Sequence, residues 1–239
     1  MIPLRHTLPP KATPVVNRAI VIANGLVFIV QIFLGQRTET MINIFGFVPA
    51  RLVHPAVYGY SMFEVAVTLV TSLFLHGGFV HLIGNMIYLW VFGGVVEDAL
   101  GHVRYLIFFI VCGVIGSLTH TMFFPHSTIA SIGASGSIAG ILGAFLVLRP
   151  RARITTLLPL VVYWAMVEIR AVVFLPVWFA MQFFNGFLSL AAAQHTQVTA
   201  GIAWWAHVGG FLFGAIVGAF ARRGSPKRVT TYGSEGVDI

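Results

Sequence analysis

Gly-Ala-Ser-Gly at residues 133–136 opens an apolar segment that continues to residue 148, and the interpretation of the whole chain starts from it. Taken alone, this serine indicates little, because most serines on apolar helices bond back to a carbonyl one turn earlier. Two other apolar segments change that interpretation. One contains His81 and Asn85, and another contains His207. Ser135 as a nucleophile, a histidine base and a set of oxyanion donors thus occupy three separate hydrophobic segments.

The composition is that of a membrane protein. Of the 239 residues, 58% are hydrophobic and 9% are charged, with a mean hydropathy of +0.91. A soluble domain carries about 25% charged residues. The net charge of +7 does not indicate nucleic acid, because Lys and Arg cluster beside apolar runs, which is typical of membrane topology signals. The expected non-protein partner is the lipid bilayer. The single cysteine, Cys112, excludes an intramolecular disulfide.

Hydropathy predicts six membrane spans. A span needs about 20 largely apolar residues. The predicted spans are residues 19–34, 82–96, 105–124, 129–148, 171–193 and 198–221. They define an all-α polytopic membrane domain over residues 19–221, a bundle of six transmembrane helices. Residues 1–18 are expected to be a tail without the features of a cleavable signal peptide, and residues 222–239 a second polar tail.

Two segments between the spans are harder to assign. Residues 35–75 form a long first loop that is too apolar to be freely solvated, so we expect it to lie in the membrane interface. Residues 154–167 are apolar but number only 14. At that length an interfacial or re-entrant segment is favoured over a seventh span.

The basic residues predict the orientation. With six spans and a cytoplasmic N-terminus, every Lys and Arg except Arg37 and Arg51 faces the cytoplasm. Cytoplasmic loops of membrane proteins carry such an excess of basic residues. We therefore predict an N-in, C-in integral membrane protein, expected in the cytoplasmic membrane of a prokaryote. Both chain termini would face the same compartment.

The candidate polar residues share one leaflet in this topology. His81 and Asn85 lie four residues apart and so project from one face of the second span. His207, Gly210 and Gly214 likewise share one face of the sixth span. Small residues allow close approach of neighbouring helices. We assign helix packing to four glycines: Gly133, Gly136, Gly210 and Gly214.

These residue types in this arrangement predict a Ser–His dyad. A histidine within a span is costly and usually functional. When neutral, His207 can accept the Ser135 proton during attack on a carbonyl. None of the seven acidic residues lies in the outer half of a span, so no carboxylate completes a triad. The oxyanion would be stabilised by the Ser135 backbone N–H and by the side chains of His81 and Asn85.

Five motifs follow one another along the chain: Thr71-Ser72-x-Phe74-x-His76, His81-x-x-x-Asn85, Val96-Glu97-x-x-Leu100-Gly101, Gly133-x-Ser135-Gly136 and His207-x-x-Gly210-x-x-x-Gly214. With these motifs the chain, over residues 15–221, resembles the rhomboid family of intramembrane serine proteases. It implies a six-helix core that cleaves single-pass or otherwise membrane-anchored proteins in or near their transmembrane segments, without a cofactor. It also implies Ser135 as nucleophile, His207 as base, and the same three oxyanion donors. The fifth span and residues 191–199 would be gate and cap.

The sequence departs from the family pattern at two places. Many relatives have Trp-Arg in the first loop where this chain has Val67-Thr68, and an aromatic that packs on the histidine in some relatives falls at Ala139. Neither position carries the reaction. Catalytically dead relatives lose the serine or the histidine, whereas this chain keeps both.

Other functional classes remain open at this stage. The main alternative is a non-catalytic rhomboid-like factor that binds and routes membrane proteins, and a small transporter or channel is a third class. The chain has no His-Glu-x-x-His motif and no pair of intramembrane aspartates. No metal site is predicted, since none of the remaining histidines has a ligand-type partner four residues on: His76, His81, His120, His126 and His195.

Overall fold

A computed structural model of the chain describes residues 1–8, 12–159, 164–193 and 202–224, and the described chain is mostly helical. The helices are α1 (Val15–Leu34), α2 (Thr38–Phe45), α3 (Pro49–Val53), α4 (Met62–Thr71), α5 (Phe79–Leu100), α6 (His102–Phe123), α7 (Ser135–Leu148), α8 (Ala171–Ala193) and α9 (Trp204–Gly224). The strands are β1 (Ile2–His6), β2 (Arg153–Pro159) and β3 (Trp164–Arg170). Short 3₁₀ turns lie at Gly35–Arg37, Pro55–Tyr58 and Ser72–Phe74.

The prediction of a helical multi-pass membrane protein is confirmed. Among the described residues, five helical stretches are long and apolar enough to cross a membrane: α1 with its continuation to Phe45, α5, α6, α8 and α9. The fourth predicted span, residues 129–148, is helical only from Ser135 onward, and its first six residues are not helical. With 14 residues, α7 is about 21 Å long, against a hydrocarbon core of about 30 Å. The inside-outside orientation stays a prediction.

Helix α7 lies at the centre of the bundle. It packs against α5, α6, α8 and α9. Side chains on different sides of it are fully buried, among them Ile141, Leu142 and Phe145. A helix that is apolar all round is expected to be buried all round. An untilted helix of this length falls roughly 9 Å short of the hydrocarbon core, and the missing part precedes Ser135, where the chain is not helical.

Glycines set the distance between α7 and α9, the most extensively packed pair of helices. An added Cβ at Gly210 would clash with the backbone oxygen of Gly136, and one at Gly214 would clash with that of Gly140. At Gly218 the added Cβ would lie 2.9 Å from Ala144 Cα. The backbones therefore touch along a stripe of small residues, and three of the four glycines assigned to packing lie in or beside it: Gly136, Gly210 and Gly214.

Polar side chains fasten α1 to the bundle. Three buried polar residues of α1 are spaced seven residues apart: Asn17, Asn24 and Gln31. Asn17 bonds the Leu89 carbonyl of α5 and Gln31 bonds the backbone of His76, whereas Asn24 bonds the Ile20 carbonyl within α1. The Glu97 carboxylate accepts the backbone N–H groups of Val16 and Asn17 at 2.9 and 2.8 Å. The first N–H groups of a helix have no partner within it, and negative charge is favoured at that end. This contact explains why Glu97, at the end of α5, is almost fully buried.

The predicted first loop is more regular than expected. Residues 35–75 were expected to form a loop, yet they contain α2, α3 and α4. Helix α4 begins with a capping box, in which Ser61 Oγ accepts the Glu64 N–H and the Glu64 carboxylate accepts the Ser61 N–H. The Ser-x-x-Glu spacing is a sequence signature of a helix start. The interfacial position of the segment stays a prediction.

A three-stranded antiparallel sheet, in the order β1-β2-β3, was not predicted. Strands β2 and β3 occupy most of the segment 154–167 that we expected to be interfacial or re-entrant. In β2, Ile154 and Thr156 are buried while Arg153 is exposed, the alternation typical of a strand. The tail over residues 1–18 is also partly regular, because residues 2–6 form β1 and α1 starts at Val15. The ring of His6 in β1 lies 5.3 Å from that of Phe145.

Candidate active site

The α7–α9 interface brings the predicted nucleophile and base together. Ser135 is the first residue of α7, and His207 is the fourth residue of α9. The distance between His207 Nε2 and Ser135 Oγ is 2.8 Å, a hydrogen bond. The sixth predicted span began at residue 198, whereas the helix starts at Trp204 and residues 198–201 lie outside the described residues. His207 therefore lies in the first turn of its helix.

The other ring nitrogen of His207 has a partner that sequence reasoning missed. Gln182 of α8 lies with Oε1 2.8 Å from His207 Nδ1, and both side chains are buried. An amide oxygen only accepts hydrogen bonds, so Nδ1 carries the proton and the Nε2 lone pair faces Ser135 Oγ. A glutamine within an apolar span was the available signal.

Two indole rings surround the imidazole. Trp178 of α8 and Trp204 of α9 have ring centroids 6.1 and 6.0 Å from that of His207. Ala139, noted in the sequence as a departure from the pattern of the resembled family, is buried beside α9: an added Cβ at Gly210 would lie 3.5 Å from the Ala139 methyl. The ring of His207 is therefore bordered by indoles from α8 and α9.

His81 and Asn85 lie beside the turn that precedes Ser135. A Cβ added at Gly133 would be 2.7 Å from His81 Nε2 and 3.4 Å from Asn85 Nδ2. Gly133 has φ of 113°, a backbone conformation that favours glycine, and its N–H donates to the Ser72 carbonyl at 2.8 Å. We expected Gly133 to pack between helices. It lies instead in the turn before α7, where it lets the backbone approach the His81 side chain.

A second buried histidine holds Asn85. The Asn85 amide nitrogen lies 2.9 Å from His76 Nε2, and since an amide nitrogen only donates, the histidine nitrogen accepts. Burial, together with the nearby His81, lowers the pKa of His76 to about 4, so the ring is neutral at pH 7 and can accept. Gln31 of α1 fixes His76 by bonding both its backbone N–H and its carbonyl, each at 3.0 Å.

Part of this set of residues lines a cavity of about 690 Å³. Its wall beside the turn before α7 carries Ser135, His207, His81 and Asn85. Residues of low volume form another part of the wall: Gly113, Ser117, Gly136 and Ala206. Small-molecule and cofactor sites in proteins have volumes of about 300–1,000 Å³. The volume of the cavity beside the Ser135 hydroxyl lies within that range.

A metal centre finds no support in the part of the chain that the structure describes, where no three His, Cys, Asp or Glu residues are placed to hold an ion. His76 and His81 are close, with ring centroids 5.0 Å apart, but their polar neighbours are Asn85 and backbone groups. His195, one of the histidines considered as a ligand, lies outside the described residues.

The fold and this site define a class: a helical multi-pass membrane protein with a hydrogen-bonded serine and histidine inside its apolar bundle. Comparison with protein families agrees with that class. The family model of the Rhomboid domain matches residues 64–224, more than half of the chain, and the chain belongs to the rhomboid family.

Individual relatives are similar over shorter stretches. The chain is 38% identical over 78 residues to RHOMBOID-like protein 5 of Arabidopsis thaliana, which covers 33% of this chain and 25% of that protein. It is 41% identical over 78 residues to Rhomboid protease GluP of Bacillus subtilis (strain 168), covering 33% and 15%. It is 29% identical over 150 residues to RHOMBOID-like protein 4 of Arabidopsis thaliana, covering 63% and 32%. The chain thus spans less than a third of the length of these relatives.

Proposed function

We propose that this rhomboid family member is an intramembrane serine endopeptidase that hydrolyses peptide bonds through a Ser135–His207 dyad. The observation that carries the proposal is the 2.8 Å hydrogen bond between His207 Nε2 and Ser135 Oγ, at the wall of a cavity inside the helical bundle. A nucleophile hydrogen-bonded to a base, which is itself oriented by a third group, is the signature of an activated nucleophile.

The proposed reaction has two stages. Ser135 Oγ attacks the carbonyl carbon of the scissile bond while His207 Nε2 accepts the hydroxyl proton. The tetrahedral intermediate collapses with cleavage of the C–N bond, and His207 returns the proton to the leaving amine. Water then attacks the acyl-enzyme ester by the same proton path, which frees the acid product and restores the serine. No cofactor enters either stage.

The proposed oxyanion donors lie on the side of the cavity next to Gly133. Asn85 donates one amide hydrogen to His76, which leaves the other for an oxyanion. His81 Nε2 lies near the turn that carries the Ser135 backbone. The N–H of Ser135 is among the first of α7, which have no acceptor within the helix, and the helix dipole favours negative charge there. Preorganised donors of this kind stabilise the developing charge.

The proposed substrates are membrane-anchored proteins, single-pass or otherwise, cleaved in or near a transmembrane segment. They would reach the dyad within the bilayer, because α7 is too short to bring Ser135 to the surface. One relative, from Bacillus subtilis, is named a rhomboid protease, which agrees with this activity. We also retain two predictions from the sequence. The membrane domain is expected to cover residues 19–221, and the protein is expected in the cytoplasmic membrane of a prokaryote. Relatives from a plant and a bacterium do not distinguish the source.

A serine-directed fluorophosphonate tests the proposal. The purified protein should be labelled by the probe and should cleave a single-pass substrate in proteoliposomes. Ser135→Ala and His207→Ala should each lose labelling and reduce cleavage by at least a hundredfold. Ser137→Ala is the matched control, because Ser137 lies two residues further along α7, fully buried in the packed bundle. It should keep labelling.

The same experiment separates the alternative function. A non-catalytic factor that binds and routes membrane proteins would capture the substrate and remain unlabelled by the probe. Substrate capture without labelling or cleavage by the folded wild-type protein would refute the protease proposal. Labelling that survives in Ser135→Ala would refute the assignment of the nucleophile.

A further inference from the structure

We propose that Gln182 is a positioning residue for the base, holding His207 in the one tautomer and ring orientation that lets Nε2 accept the Ser135 proton. The inference rests on the proposed dyad and adds to it a third member from α8. The general base of a dyad is active only when its lone pair, and not an N–H bond, points at the nucleophile. The position of that proton is what the contact with Gln182 determines.

The geometry specifies the proton's position. Gln182 Oε1 and His207 Nδ1 are 2.8 Å apart, and each side chain is only 8% exposed. With the amide oxygen toward the ring, Nδ1 must donate and Nε2 is left as an acceptor. The reverse amide orientation would place an N–H against Nδ1 and move the ring proton to Nε2. His207 would then donate to Ser135 Oγ and could not remove its proton.

Helix α8 constrains the ring in a second way. Trp178 lies four residues before Gln182 and therefore on the same face of α8, with its indole 6.1 Å from the imidazole. Phe179 stacks on Phe211 of α9 at 4.7 Å and fixes the two helices against each other. One face of α8 thus provides His207 with both an aromatic neighbour, Trp178, and the hydrogen-bond acceptor for Nδ1. On α7, the residue Ala139 has only a methyl side chain and can provide neither.

An amide acts differently from a carboxylate in this position. It fixes the tautomer, but it carries no charge to balance the imidazolium that forms when Ser135 attacks. Truncating Gln182 should therefore slow the chemical step with little effect on substrate binding, since Gln182 does not line the cavity. Lower kcat with unchanged KM is the expected signature of an interaction that acts in the transition state.

The test compares three variants in proteoliposomes. Gln182→Met keeps the length of the side chain and removes the acceptor, Gln182→Glu keeps an acceptor oxygen, and Ser189→Ala alters a polar residue further along α8 whose hydroxyl bonds within its own helix. We expect Gln182→Met to lower kcat roughly tenfold to a hundredfold with KM within twofold of the wild type. Gln182→Glu should recover most of that loss, and Ser189→Ala should match the wild type.

A measurement independent of turnover accompanies the kinetics. The ¹⁵N resonances of His207 report which ring nitrogen carries the proton, and the wild type should show Nδ1–H, whereas Gln182→Met should show a mixture of tautomers. If the folded Gln182→Met keeps wild-type kcat, or keeps a pure Nδ1–H ring, the inference is overturned. A wild type that never cleaves refutes the proposed function instead, and the resonances still decide whether Gln182 holds the ring.

Discussion

Gly210→Ala tests whether contact between the α7 and α9 backbones sets the geometry of the dyad. The added methyl carbon would clash with the carbonyl oxygen of Gly136, the residue next to Ser135. A carbon and a carbonyl oxygen without a hydrogen bond need a separation of somewhat over 3 Å, so α9 must move away from α7 by about 1 Å. His207 lies three residues before Gly210 on the same face of α9, and it would move with the helix.

The size of the effect follows from that displacement. Lengthening the 2.8 Å contact between Ser135 and His207 by about 1 Å takes it beyond hydrogen-bond distance. A misplacement of about 1 Å can cost roughly 10²-fold in rate. Gly218→Ala is the comparison variant on the same face, because its added carbon would lie 2.9 Å from Ala144 Cα, a smaller overlap than at Gly210 and one placed about three turns beyond His207.

The assay is cleavage of a single-pass substrate in proteoliposomes, with thermal unfolding measured in the same detergent for each variant. We expect Gly210→Ala to lose roughly 10²-fold in kcat/KM and to melt at a lower temperature. Gly218→Ala should lose less than tenfold in kcat/KM, because the overlap is smaller and lies about three turns from His207. Wild-type turnover and melting temperature in Gly210→Ala would refute the close packing of the two helices. An equal loss of turnover in Gly218→Ala would refute the claim that the effect depends on proximity to the dyad.

Three further changes probe the groups around the dyad. Asn85→Ala removes one oxyanion donor and should lower kcat by roughly 10²-fold while His81 and the backbone remain; measured turnover equal to that of the wild type would exclude the role. Gly133→Ala places a carbon 2.7 Å from His81 Nε2 at a φ of 113°, so cleavage and fluorophosphonate labelling should both fall sharply in a protein that still folds. Glu97→Ala leaves two N–H groups of α1 without their acceptor and should destabilise the protein by about 2–3 kcal/mol in thermal unfolding, with the dyad chemistry of the folded fraction unchanged.

Much of the helical bundle and its site is predictable because two separate signals point to the same residues. Hydropathy locates the spans, and the fifth predicted span coincides with α8 at residues 171–193. Polar residues that face one leaflet within those spans are few, so Ser135, His207, His81 and Asn85 stand out. The small-residue stripe on α9 then predicts which helix faces the serine. Each of these inferences uses only spacing and the cost of burying polar groups.

The features that the sequence did not predict depend on tertiary contacts, or on the two-residue alternation of a strand, which is lost when hydropathy is averaged over a long window. The strand β2 reads as a short apolar run, and only its pairing with β1 and β3 makes it a strand. Gln182 is a single polar residue in a span that is apolar on average, so hydropathy does not mark it. Its contact with His207 depends on how α8 packs against α9, which the sequence does not show. The start of α4 was readable from Ser61 and Glu64, but the apolar composition around it favoured an interfacial loop.

The polar residues of the bundle form two hydrogen-bonded chains that reach the cavity by different routes. Gln31 of α1 holds His76, which accepts from Asn85, and Gln182 of α8 holds His207, which bonds Ser135. Each chain begins at a glutamine on a helix that borders the bundle and ends at a group of the proposed reaction. Buried polar groups need partners, and in hydrocarbon an unpaired one is especially costly. The hydrogen bonds that pair these buried groups also orient them, so the stability of α1 and α8 in the bundle and the alignment of the proposed catalytic groups depend on the same contacts.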